Sequence, residues 1–150
     1  MSSTDERIKQ IIARKKEQEA DAEAKETNAK QAETARQKLL ANRRKKWADD
    51  THIIDAAVKE VQSKASELKV ELKFQHTPGN PGTTIGVAHF SGRSPKTLNG
   101  EMVWNVNEDG AINVYHGRRA TQAKGKSFSL EDADKAMYEK HILDFVDLIV

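Results

Sequence analysis

Gly125-Lys126-Ser127 carries the residue types with which a loop holds nucleotide phosphates: glycine for close backbone approach, lysine for charge, a hydroxyl for the metal ion. Such a loop needs four residues between its first glycine and the Gly-Lys-Ser, so that successive amides wrap the phosphates. Here seven residues separate Gly117 from Gly125, and the spacing fails. What remains is a basic loop, with Arg118, Arg119, Lys124 and Lys126 and no acid among them, placed before an expected helix N-terminus, where amides and the helix dipole favour an anion.

His52, His76, His89, His116 and His141 form no H-x-H, H-x-x-x-H or H-x-x-E-H spacing. His89 falls on the expected face of Ile85 and Val87, and His116 at the end of an apolar hairpin face. Both read as core histidines, since a nitrogen-ligated metal needs three or four converging groups. Ser127 and Ser129 have no local base, and the 13 carboxylates after residue 50 read as solvent-facing. The sequence therefore nominates no catalytic residue, no metal site and no cofactor, and the expectation is a protein that binds without catalysis.

Charge is distributed unevenly. The net charge of +2 hides a segment, 36–46, in which Arg36, Lys38, Arg43, Arg44, Lys45 and Lys46 meet no acid. Residues 17–33, by contrast, hold six acids and two lysines. Arg43-Arg44-Lys45-Lys46 followed by Trp47 fits a nucleic-acid grip in which the cations hold phosphates and the indole stacks on a base. Read instead as an element of association, the basic segment meets the acidic stretch of a second copy.

These residues have to be positioned by two unlike parts. Residues 1–46 contain no aromatic, valine, glycine or proline; all eight aromatics, from Trp47 to Phe145, lie beyond. A segment whose large apolar residues after Met1 are Ile8, Ile11, Ile12, Leu39 and Leu40 buries too little to offset its own ordering. Yet it is rich in helix-forming Ala, Glu, Lys, Gln and Arg. Counted in sevens through Ile8 and Ile11, only Ile8, Ile11 and Leu39 are large apolar residues, so a zipper with apolar a and d positions is excluded, and what is left is a solvated helix or a shallow alanine-rich packing against another helix, its own copy's or a partner's. Residues 1–48 are thus expected to form a helical arm, and 49–150 an α+β body.

In the body, Asp50 or Thr51 is expected to cap a helix whose apolar stripe runs through Ile53, Ile54, Ala57, Val58, Val61 and Ala65. Four strands follow: Leu68–Phe74, Thr83–Phe90, Glu101–Val106 and Ala111–His116. With Glu108-Asp109-Gly110 as a three-residue loop, Met102 opposes His116, Trp104 opposes Val114 and Val106 opposes Ile112. Ser129 and Asp132 approximate a capping box for a last helix starting at Leu130. The expected order is α-β-β-β-β-α with an antiparallel meander. An α-β-β-β-α order resembles the double-stranded RNA-binding domains, but a fourth strand, an acidic last helix and its lack of a lysine-rich start depart from them.

On this register Phe90, Val103, Asn105, Asn113 and Tyr115 share the sheet face away from the core, an apolar island among polar residues suited to a partner. Chemistry excluded by composition is equally definite. Without cysteine there is no disulfide scaffold, thiolate metal site, iron–sulfur cluster or thiol nucleophile. The N-terminus is charged from Asp5 on, and no run approaches the roughly 20 apolar residues of a membrane span. The expectation is a cytoplasmic, self-associating interaction protein with no membrane, for which the sequence identifies no small-molecule substrate, a nucleic-acid-binding accessory protein being the alternative.

Overall fold

The computed structural model describes residues 3–116 and 123–150, the side chains of 123–125 excepted. Helix α1 spans Ser3–Lys64, followed by a short turn of 3-10 helix at Ser66–Leu68. Then come β1 (Glu71–Pro78), β2 (Thr84–Arg93), β3 (Gly100–Asn107), β4 (Ala111–His116), β5 (Ala123–Ser129) and helix α2 (Lys135–Ile149). The strands form one antiparallel sheet in the order β1-β2-β3-β4-β5. The chain divides into two compact units, Met1–Leu39 and Leu40–Val150.

Three expectations are corrected. The helix does not restart at Asp50 or Thr51: with no glycine or proline before Pro78, nothing interrupts α1, and Thr51 Oγ1 donates back to the Ala48 carbonyl at 2.7 Å. The body accordingly takes up residues from Leu40 on, nine before its expected start at Asp49, and Trp47 is one of its core residues. The sheet has five strands rather than four, because 123–129, expected as loop, pairs with β4 and satisfies the backbone of what would have been an open edge. Ser129 is thereby drawn into the sheet, opposite Ala111, and α2 begins later, capped by Asp134, whose Oδ1 accepts the Met137 amide at 2.8 Å.

The β3–β4 hairpin has the expected register, with Met102, Trp104 and Val106 opposite His116, Val114 and Ile112. Gly110 supplies the positive φ, +93°, that the three-residue loop requires. Trp104, Met102, Val106, Ile112 and Val114 all face the core, together with Ala88 and Phe90 of β2. Both helices cover this one face: α1 through Trp47, Ile54, Ala57, Val58 and Val61, α2 through Tyr138, Ile142, Phe145, Val146 and Ile149. They lie close to it. A Cβ on Gly86 would run into the Trp47 indole, and one on Gly92 would meet Phe145 and Ile149. Among the described residues, the opposite face carries no helix.

Residues 3–39 make their own unit, and every one of them is exposed. Ile8, Ile11 and Ile12 are each about half accessible to solvent. Local ion pairs, Lys30 with Glu26 at 3.3 Å and Arg36 with Glu33 at 2.8 Å, run along the helix and are exposed in their turn.

Candidate functional site

The basic junction is built into the body rather than displayed. Arg43 Nε pairs with Glu131 Oε1, and its Nη1 donates to the Glu108 carbonyl at 2.8 Å. Lys46 Nζ reaches the Asp50 carboxylate at 2.8 Å and the Ala133 carbonyl at 3.0 Å. Tyr138 Oη donates to the same Asp50 oxygen at 2.6 Å, so a buried carboxylate is shared by a cation from its own helix and a phenol from α2. Burial first, then the hydrogen bond to Asp50 and the Asp50 charge, raise the Tyr138 pKa, which fixes it as the donor. Burial opposes ionisation of Glu131, yet hydrogen bonds from Arg43, its own amide and Ser129 leave its carboxyl below the ordinary value.

The grip expected of Arg43, Arg44, Lys45, Lys46 and Trp47 is therefore not assembled. Trp47 is 5% exposed and packed against Gly86, so its indole has no face to offer a base. Arg43 and Lys46 are spent inside the body; Lys45 faces solvent, and Arg44, largely exposed, meets Glu108 at 3.5 Å. The two residue types that stacking and phosphate binding need are on different sides of the packing.

The second cluster falls partly outside the described residues, where Arg118, Arg119 and the Lys124 side chain lie. Gly125, Lys126 and Ser127 are in strand β5, with Lys126 exposed and Ser127 Oγ donating to Asn113 Oδ1 at 2.8 Å. The helix that follows starts at Lys135 behind Asp132 and Asp134, so the expected pairing of a basic loop with a helix N-terminus is corrected: strand and acidic cap stand in its place.

No protein-family model, curated protein or solved structure matches this chain.

On the sheet face away from the helices lie Asn105, Asn113 and Tyr115, each half-buried, with Val103 beside them only 7% exposed, and Phe90 does not join them. It is 4% exposed and packed on Trp104, ring centroids 4.4 Å apart. The register between β2 and β3 shifts between Thr84 and Gly86, which turns Ala88 and Phe90 inward and leaves Val87 and His89 outward, so the placement of His89 in the core is corrected as well. The resulting surface is mixed in charge: Lys73, Gln75, His89, Ser91, Glu101 and Val103 line an open depression of about 510 Å³.

His116 and His141 belong to the interior, as lone histidines on apolar faces do. His141 stacks on Phe128 with centroids 4.2 Å apart, and His116 stacks on Phe145. Burial lowers both pKa values, while Asp144 works in the opposite sense on each. Among the described residues, no three His, Asp or Glu side chains are grouped so as to hold a metal ion, and no helix is long and apolar enough to cross a membrane.

The contacts that sequence reasoning missed are Asp50 with Tyr138 and Arg43 with Glu131, both 88 residues apart along the chain. Nothing in the sequence links such pairs. Helical spacing does give one hint for the former, since Lys46 and Asp50 lie four apart and Tyr138 sits on the apolar arc of its helix.

Proposed function

We propose that this chain is a non-catalytic protein-interaction module of the cytoplasm that self-associates through its N-terminal helix, the α+β body serving as the folded unit to which that helix belongs. The observation that carries the reading is the exposure of Ile8, Ile11 and Ile12, clustered at helical spacing on a segment with no core of its own. Three half-exposed isoleucines within five residues are a standing incentive to pair with another apolar surface. The loss of the junction as a stacking site weighs against the nucleic-acid alternative, and no observation favours that alternative. The sheet face away from the helices, through the half-buried Asn105, Asn113 and Tyr115, is a further surface for a protein partner.

Sedimentation of the full chain over a hundredfold concentration range tests the reading. Masses rising above the 16.8 kDa of one chain, and returning to it when Ile8, Ile11 and Ile12 are all replaced by serine, are expected. A 16.8 kDa particle at every concentration overturns it.

A further inference from the structure

We infer that the N-terminal helix pairs antiparallel with the same segment of a second copy, about a two-fold axis between Lys16 and Glu17. The inference rests on the self-association proposed above and gives it a geometry.

Two adjoining blocks of the exposed helix have opposite charge. Residues 7–16 hold Arg7, Lys9, Arg14, Lys15 and Lys16 and no acid, a charge of +5. Residues 17–26 hold Glu17, Glu19, Asp21, Glu23 and Glu26 against Lys25, a charge of −4. All these side chains are exposed. Packed helix axes are about 8–10 Å apart, comparable to the roughly 8 Å screening length at physiological salt, so charges flanking the contact still act on one another. A parallel pair therefore sets each block against its own copy, like against like. An antiparallel pair in which residue i faces residue 33 − i lays the positive block of each helix on the negative block of the other.

One apolar contact fits the same alignment. Ile8, Ile11 and Ile12 sit in the positive block, and Ala20, Ala22 and Ala24 in the negative one. With the charges matched, Ile11 faces Ala22, whose short side chain lets the backbones approach, while Ile8 comes opposite Lys25 and Ile12 opposite Asp21 at the flanks of the seam. Between these layers Lys15 meets Gln18 and lays its methylene stem along the seam while its ammonium reaches water. The seam is shallow, as a stripe without sustained large apolar residues must be.

The other basic segment is a poorer match for the acidic block, because Arg43 and Lys46 are already held by Glu131 and Asp50. Pairing through residues 7–16 takes nothing from the body.

The chain contains no cysteine, so thiols introduced by Ile11→Cys and Ala22→Cys are the only ones present. Each variant is oxidised alone and in an equimolar mixture. The mixture is expected to give disulfide-linked dimer at least fivefold above either variant alone, since only unlike positions face one another. Cross-linking of Ile11→Cys alone as efficient as in the mixture means a parallel pair and overturns this inference while leaving self-association standing. A chain that dimerises in sedimentation but gives no cross-link in the mixture overturns it too, placing the contact elsewhere. A monomer in both measurements overturns the inference together with the function on which it rests.

Discussion

Trp104 and Asn105 are neighbours in β3 with opposite surroundings: the indole is fully buried among Phe90, Phe128, Tyr138 and His141, and the amide sits half-buried on the open face. Trp104→Ala is expected to destabilise by about 3–5 kcal/mol, the loss of a large aromatic from a packed core, and Asn105→Ala by roughly 0.5 kcal/mol or less, as read from urea midpoints. A Tyr138→Phe change keeps the ring but takes a donor from the buried Asp50 carboxylate, for which about 1–3 kcal/mol is expected. The two interior histidines set a pH dependence. Their pKa values are pushed below the ordinary 6.5 by burial, so the fold prefers them neutral, and the unfolded chain takes up their protons first as pH falls. Their contribution to stability is thus complete above about 6.5 and is lost on the acid side of it, through the lower folded values. His141 is surrounded by Asp144 and Lys140 of its own helix, Lys126 of β5 and His116 of β4. His141→Gln should flatten the acid limb of a plot of melting temperature against pH, and an unchanged limb would mean that folding leaves the affinity of the ring for its proton as it is in the unfolded chain.

At the scale of elements, what could be read from the sequence was whatever large side chains mark. The β3–β4 hairpin was legible because Met102, Trp104, Val106, Ile112 and Val114 alternate cleanly on either side of a loop ending in glycine. Strand β5 was not, because Phe128 is its one large apolar residue and backbone pairing with β4, rather than pattern, makes it a strand. The faces of β2 were misread for a related reason: beside Phe90, its inward residues are Gly86, Ala88 and Gly92, kept small by helices that pass close above them, while Val87 points outward. Gly86→Ala is therefore expected to destabilise by about 1–3 kcal/mol by forcing the Trp47 indole to move, although alanine suits a strand no worse than glycine. The basic junction was legible as charge and illegible as a clamp, since Glu108, Glu131 and Ala133 reach it only through the tertiary fold.

For the molecule as a whole, the position of the boundary between the two units decides what each can do alone. Every residue of the core cluster lies at Trp47 or beyond it, so removing residues 1–39 is expected to leave a cooperative thermal transition within a few degrees of the full chain and to abolish self-association. Removing residues 1–46, the cut that composition alone suggests, also takes Arg43 and Lys46. Asp50, 6% exposed, then keeps Tyr138 but loses its cation, and Glu131 loses its guanidinium. Breaking a buried ion pair from one side is far more harmful than never having it, and the longer deletion should therefore be less stable than the shorter by about 3 kcal/mol or more, roughly ten degrees or more in melting temperature for a unit of this size. Equal melting temperatures for the two truncations would show that residues 40–46 stand outside the folded body and would return the cations at the junction to the surface as free binding groups.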